Sequence, residues 1–297
     1  MLHLLPGGAL LAIATSCARP ADAPATLDEL CGYLFAHFQD EDPAGVVEGM
    51  TNLQLWLEDN IEETAEGYVI VNLAQDAVDA LDDNDRDLEG LVGAAIGFEH
   101  EATIGQLAQT SILVDPMELY PDEYDSYVRT YETDTECFFD RSCDQLQVHN
   151  SIVANYPLGL TVASEVTGQY RWFELDSGLA YLQRTWLDEP AEVSLDWLGV
   201  PEQYFMVVNM PLGDHSVRVV ATWIVAEIGD SSVPENMALD MVIDSLIGSE
   251  EQLASYIAAN DVDAGELDAS EPSGTCSSAP VAGAWLLGLL ALGRRRA

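Results

Sequence analysis

Apolar residues recur at helical spacing near the start of the chain. Segments 27–38 and 44–60 place apolar side chains three or four positions apart, which is typical of helices packed on a core. Residues 68–73 have the composition of a short strand. Segment 88–108 is rich in small residues, and we expect a helix there, although its glycines weaken helical propensity.

From residue 124 onward the pattern becomes that of strands. Val, Thr, Tyr and Phe dominate residues 124–131, 145–155 and 160–175. In YRWFELDSGLAYLQRTWL a short glycine-containing loop at 176–178 separates two such runs, which predicts a β-hairpin. The sequence PLGDHS predicts a second hairpin between 204–210 and 217–228. Neighbouring strands should therefore pair antiparallel.

The last element of the body is predicted to be a long helix that begins near Pro234. Proline suits the first turn of a helix, and the pattern allows an end at Gly248 or at Asn260. Because a sheet with one apolar face must cover that face, we expect this helix to pack on the concave side. The predicted contacts join Met237, Met241, Leu246 and Ile257 to Trp172, Trp186 or Trp223.

This order of elements predicts an α+β protein with N-terminal helices, a curved antiparallel sheet and a long C-terminal helix packed on the sheet. It resembles the START-like helix-grip superfamily, also called SRPBCC, in which the sheet wraps the last helix around an apolar cavity. The resemblance spans about 67–260 and depends on element order and on stretches such as QYRWFELDSGLAYLQRTWL. It implies a site for a hydrophobic small molecule.

Several side chains are candidates for the wall of such a cavity. The aromatic residues of the strands either pack as ordinary core or line the cavity, and methionines would suit an adaptable wall. Arg171 and Arg184 are scarce cations that either pair with neighbouring carboxylates or bind the acid group of a ligand. The candidate cavity residues are Trp172, Trp186, Trp223, Met237, Met241, Arg171 and Arg184.

Charge narrows the range of partners. The 297 residues include 52 Asp and Glu against 10 Arg and no Lys, which gives a formal net charge of −42. Such a surface repels phosphate backbones, so we expect no nucleic-acid partner. The absence of lysine excludes Schiff-base and P-loop lysine chemistry. The acidity is typical of a surface solvated in a salt-rich habitat.

No catalytic or metal motif is complete. In DALDDNDRDLEG the spacing of Asp83, Asp85 and Asp87 matches the first ligands of an EF-hand loop, but Leu88 replaces the required glycine and Ala94 the final glutamate. The chain also lacks HExxH, GxSxG and Walker motifs. We therefore predict no metal, no cofactor and no catalytic residue, although a triad assembled from distant residues stays open.

Five cysteines divide by context. Cys137 and Cys143, in CFFDRSC, are close enough to form a disulfide in an oxidising envelope. Cys31 lies on the apolar face of segment 27–38 and is predicted to be a buried free thiol. Cys17 and Cys276 belong to the two termini.

The first residues indicate export. An apolar run ends at Thr15-Ser16-Cys17, which looks like a bacterial lipoprotein signal with Cys17 as the lipidated residue. The run departs from that pattern because Ala14 stands where leucine is usual and no basic residue precedes it. Export is expected in either case.

The chain closes with TCSSAPVAGAWLLGLLALGRRRA. A cysteine-led segment of small residues, a short apolar stretch and three arginines, in this order, resemble the MYXO-CTERM sorting tag of myxobacterial surface proteins. The resemblance implies processing near Cys276 by a sorting protease. The alternative is a simple short membrane anchor, with the arginines on the cytoplasmic side.

Together these segments predict a protein of the cell envelope, at the outer membrane or cell surface, that contacts the membrane through its termini. The predicted parts are a signal peptide (1–16), a leader (17–25), one α+β domain (26–262), an acidic linker (263–275) and a tag with a short transmembrane segment (276–297).

Three functions fit this organisation. The first is a non-catalytic surface protein that binds a hydrophobic ligand. The second is an envelope enzyme, cyclase-like or hydrolytic, on the same scaffold, and the third is a structural or adhesive surface lipoprotein. A filled apolar cavity would favour the ligand-binding protein. Clustered Asp, His and Arg side chains in an open cleft would favour the enzyme, and a solid core would favour the structural protein.

Overall fold

The computed structural model describes residues 23–82, 84–156, 159–229 and 237–263. The predicted signal peptide and sorting tag, including Cys17 and Cys276, lie outside these residues, as do Asp83 and Pro234. The elements in chain order are α1 (Leu27–Ala36), α2 (Ala44–Thr64), β1 (Tyr68–Ile70), α3 (Gln75–Asp79), β2 (Val92–His100), α4 (Ile104–Leu113), α5 (Pro116–Leu119), β3 (Tyr124–Tyr131), α6 (Thr135–Phe139), β4 (Leu146–Tyr156), β5 (Leu160–Leu175), β6 (Gly178–Leu187), β7 (Glu192–Val193), β8 (Leu198–Leu212), β9 (His215–Ile228) and α7 (Met237–Asn260).

The strands form one antiparallel sheet of order β1-β2-β9-β8-β6-β5-β4-β3, with β7 paired to β5. Both predicted hairpins are confirmed. In the first, Leu175 pairs with Gly178, whose φ of 129° suits glycine. In the second, Leu212 pairs with His215. The curved antiparallel sheet with helices before and after it confirms the predicted α+β class.

Helices cover both faces of this sheet. α1 and α2 pack on one face, called here the α1–α2 face, over the largest apolar cluster of the described residues. α4 and α7 pack on the opposite face, called here the α7 face, over two smaller clusters. α7 runs through Gly248 to Asn260 and contacts β2 and β9, so the predicted C-terminal helix packed on the sheet is confirmed.

The helix predicted for segment 88–108 is wrong. Val92–His100 is strand β2, and helix α4 begins only at Ile104, after a Thr103 capping box. The glycines that weakened the helix allow close packing instead, because a Cβ atom on Gly93 would lie 2.5 Å from Cδ1 of Trp223. Since β2 lies inside the sheet and is covered on both faces, its sequence lacks the alternation of a half-exposed strand.

The cysteine predictions for the body are confirmed. Cys137, inside the short helix α6, forms a disulfide with Cys143 in the segment that follows this helix. Cys31 is a buried free thiol on α1, and burial raises its pKa. The element ends differ slightly from the predicted ones, since α1 stops at Ala36 and α2 continues to Thr64. Within the described ranges, no helix has both the length and the apolar content that a membrane crossing requires.

Candidate functional site

A cavity of about 270 Å³ lies between the α7 face of the sheet and helices α4, α5 and α7. Its volume is just below the range of about 300–1,000 Å³ that is typical of small-molecule sites. Aliphatic side chains such as Ile152, Val166 and Leu246 line part of it. The aromatic part of the lining consists of Tyr120, Tyr124, Tyr127, Tyr156, Tyr170 and Phe205.

Three of the tyrosines form a continuous aromatic wall. The rings of Tyr120 and Tyr124 are 6.1 Å apart and those of Tyr124 and Tyr127 are 5.2 Å apart, and both pairs meet edge to face. Burial raises the pKa of Tyr120, Tyr124, Tyr156 and Tyr170 above the ordinary value of 10.0. These phenols are therefore neutral at physiological pH and present apolar rings with a few hydroxyl groups.

We expect these four tyrosines to resist ionisation while the protein is folded. Because their folded pKa values are raised, the unfolded chain releases these protons first, so their contribution to stability is present below pH 10 and is lost as pH rises further. The tyrosinate absorbance of native and urea-unfolded protein, titrated in parallel, measures this difference. Ionisation of all 11 tyrosines near pH 10 in the native protein would show that the wall is hydrated.

A buried ion pair forms one end of the cavity. Nε of Arg218 donates to Oε1 of Glu250 at 2.7 Å, and Nη1 donates to Asn209 at 3.1 Å. Nε2 of His100 lies 3.2 Å from the other oxygen of Glu250, which is 4% exposed. Burial alone would raise the pKa of Glu250, but the charge and the hydrogen bond of Arg218, with the His100 ring beside the second oxygen, hold it below its ordinary value.

The second arginine of the lining is Arg129, on β3. Its Nη1 donates to the carbonyl oxygens of Ser111 at 3.0 Å and Ile112 at 2.6 Å, at the C-terminal end of α4, where a positive charge is favourable. Nε donates to Oδ1 of Asn150 at 3.1 Å. Nη2 makes one long hydrogen bond, 3.4 Å to the hydroxyl of Tyr127. All these partners are neutral.

The sheet separates the predicted cavity tryptophans. Trp172 lies on the α7 face, stacks on Phe138 and shares an apolar cluster with Ile257. Trp186 and Trp223 belong to the cluster on the α1–α2 face, so their predicted contact with the last helix is wrong. The first hairpin explains this result: Trp172 pairs with Tyr181, and Trp186 is five positions further along β6. An odd separation places two side chains on opposite faces.

Arg171 and Arg184 also lie on the α1–α2 face. Arg184 donates to Gln169 and to the carbonyl oxygen of Phe35, and its guanidinium is 4.7 Å from the ring centre of Phe38. Burial lowers its pKa to about 10. Arg171 donates to backbone carbonyl oxygens. In the part of the chain that the structure describes, neither arginine forms an ion pair or borders this cavity, although Asp144 and Asp40 are close enough to Arg171 to act on it electrostatically.

The predicted helix residues are distributed along α7. Met241 lines a small pocket of about 40 Å³ that adjoins the cavity and shares Tyr156 and Val162 with it. Met237 is half-buried in the first turn of α7. Leu246 lines the cavity itself. Of the predicted helix–tryptophan pairs, Ile257 and Trp172 belong to the same apolar cluster.

Other groups on the surface are less suited to a ligand. A groove of about 720 Å³ between the ends of β2 and α7 is lined by exposed acidic side chains such as Glu99, Glu101 and Asp261. The acidic turn after α3 is organised by Arg86, which pairs with Asp82 at 2.6 Å and Glu202 at 2.9 Å. No three His, Cys, Asp or Glu side chains among the described residues are arranged to hold a metal ion.

No protein-family model matches this chain, and no curated protein is similar to it. Solved structures do match. A STAR-related lipid transfer protein fragment from Xanthomonas axonopodis is 13% identical over 59% of this chain and 97% of its own, with a TM-score of 0.38. Human STARD10 is 7% identical over 70% of this chain and 80% of its own, with a TM-score of 0.40. Norcoclaurine synthase from Thalictrum flavum is 11% identical over 60% of this chain and 95% of its own, with a TM-score of 0.34. Likenesses this weak carry no conclusion about function.

Proposed function

We propose that this protein is exported to the cell envelope and binds a largely hydrophobic small molecule in the cavity between the sheet and α7. The cavity of about 270 Å³, whose lining combines neutral tyrosines and aliphatic side chains with a set of polar groups, is the observation that carries the proposal. The signal-like start and the tag-like end of the chain support the location. A structural protein with a solid core would have no need of such a space.

The energetic cost of an empty cavity favours an occupant. Protein interiors are packed as densely as organic crystals, and voids larger than a water molecule are few. Ordered water can occupy the part of the space beside polar groups such as Arg129, Arg218 and Glu250. We infer that a ligand fills the part that is lined by the tyrosines and the aliphatic side chains.

The proposal is tested by filling the cavity. Ala154 lines it, and Ala154→Phe places a ring inside. The matched control is Ala163→Phe on the neighbouring strand, because Ala154 pairs with Val162 and Ala163 points to the opposite face. We expect the uncharged dye N-phenylnaphthylamine to bind the wild-type protein with enhanced fluorescence. Ala154→Phe should weaken binding about tenfold or more, and Ala163→Phe should leave it unchanged.

Two results would contradict the proposal. One is wild-type protein that fails to bind the dye. The other is an equal loss of binding in both variants, which would indicate a surface site or a general effect on stability. Mass spectrometry of organic extracts from protein purified out of its native envelope supplies an independent measurement, and an apolar compound present at near-stoichiometric amount is the expected result.

A further inference from the structure

The charge of the cavity lining is opposite to that of the protein. The chain as a whole carries a formal net charge of −42. The lining contains two arginines, Arg129 and Arg218, and one carboxylate, Glu250, among the described residues. Arg218 and Glu250 neutralise each other through their 2.7 Å hydrogen bond. The positive charge of Arg129 therefore has no carboxylate counter-ion at the cavity, and the C-terminal end of α4 and the Tyr127 ring, 5.4 Å from its guanidinium carbon, offset it only in part.

The surroundings of Arg129 explain why this charge is unusual. Arg129 is half-buried. A cation that is withdrawn from water is costly unless it is paired, and 52 acidic residues could supply a partner. Yet within the described ranges no carboxylate lies within ion-pair distance of its guanidinium. Glu123, which lies just before β3, instead accepts hydrogen bonds from Ser249 and Gln252 of α7.

The hydrogen bonds of Arg129 divide its guanidinium into two parts. Nη1 and Nε are occupied by the end of α4 and by Asn150. Nη2 has two N–H groups and makes one long hydrogen bond, to the Tyr127 hydroxyl. Among the described residues that hydroxyl accepts from Arg129 and has no acceptor for its own hydrogen. One N–H group and one O–H group next to each other can thus donate to the same acceptor.

We propose that Arg129, together with the Tyr127 hydroxyl, binds the acid group of the ligand, and that the ligand is therefore a small amphipathic carboxylate with its apolar part against the tyrosine wall. This inference rests on the proposed function. The single charge without a carboxylate counter-ion matches a monoanion, whereas a phosphate monoester carries about −1.5 to −2. Arg218 is not assigned this role, because Glu250 already neutralises its charge.

Octanoate and octanol are suitable probes because they share one chain and differ in the head group. By calorimetric titration at constant ionic strength, wild-type protein should bind octanoate about 10- to 100-fold more tightly than octanol, the range expected for a hydrogen bond to a charged group. Arg129→Met should abolish this preference while octanol affinity stays within about twofold. Arg141→Met is the control, since it removes the same charge from the exposed Arg141–Glu174 pair, and it should keep the preference.

Because Arg129 also caps α4, Arg129→Met could disturb the fold as well as the binding of the acid group. A second, more conservative variant separates these two effects. Arg129→Lys retains the charge without the planar fork, and we expect a reduced but measurable preference for octanoate. Equal affinity of wild-type protein for octanoate and octanol would overturn this inference and leave the proposed function standing. Tighter binding of octyl phosphate than of octanoate would overturn the assignment of a carboxylate. Failure of both octanol and octanoate to bind would overturn the inference together with the proposed function.

Discussion

Replacing Glu250 with glutamine is expected to destabilise the protein by about 3–5 kcal/mol, the range for a buried ion pair that loses one partner. The carboxylate is 4% exposed and accepts a 2.7 Å hydrogen bond from Arg218. Glutamine keeps the shape but leaves the guanidinium buried without a counter-charge. Urea unfolding at neutral pH, with the slope compared between the two proteins, measures the loss.

Two comparisons make this result specific. Glu174 forms an ion pair with Arg141, and its side chain is 83% exposed. Because exposed ion pairs contribute little, Glu174→Gln should change stability by less than about 1 kcal/mol. Acid should reduce the difference between Glu250→Gln and wild type. The pKa of Glu250 is held below its ordinary 4.5, so its contribution is present above that pH and is lost as pH falls through the folded pKa. A difference that is independent of pH would contradict an electrostatic origin.

Replacing Trp223 with alanine is expected to destabilise the fold by about 3–5 kcal/mol. The side chain is fully buried on the α1–α2 face, meets Phe35 edge to face and donates from Nε1 to the Val71 carbonyl oxygen at 2.9 Å. Truncation leaves a large void between α1 and the sheet and an unpaired carbonyl oxygen. Denaturant unfolding followed by circular dichroism measures the change without relying on tryptophan fluorescence.

A double-mutant cycle with Gly93 tests the reason for this effect. The Trp223 ring occupies the space where a Gly93 side chain would be, so Gly93→Ala alone should destabilise the protein by about 1–3 kcal/mol. In the Trp223→Ala background the same change should cost less, because the contacts with the ring are gone and only the one with Cγ1 of Ile70, at 2.8 Å, remains. Gly248→Ala is the control, since nothing lies within 4 Å of that position in α7, and it should stabilise slightly. Additive effects of Gly93→Ala and Trp223→Ala would contradict direct packing of the two residues.

The hairpins were predictable because their signals are local. Alternating apolar residues flank a short turn in each case, and the structure pairs Leu175 with Gly178 and Leu212 with His215. Strand β2 was not predictable in the same way. Its small residues are explained by Trp223 and by α2, which are distant in sequence, and propensity alone assigns such a segment to a helix.

The candidate site was harder to predict because the sheet is covered on both faces. If only one face of the sheet were covered, as expected from the sequence, the tryptophans of the strands would face α7. The register of the first hairpin predicts the observed arrangement. Trp172 pairs with Tyr181, and the odd separation of Trp186 from Tyr181 places Trp172 and Trp186 on opposite faces. The signal for Arg129 was its position between two tyrosines in YVRTY, but only the packing of α4 on β3 shows that it lacks a carboxylate partner.

The separation of the apolar core into two layers has a consequence for how a ligand could enter. α7 contributes Leu253 and Ile257 to one small cluster and Ala238 and Val242 to the other, and none of its residues belongs to the large cluster beneath α1 and α2. Proteins open locally with free energies below that of global unfolding, and a layer with few buried contacts opens first. The helix could thus leave the sheet for a moment while the other layer keeps the strands in register. A ligand that contacts Leu246 would make this opening of α7 rarer. The rate at which α7 opens would then set the rate at which the ligand dissociates.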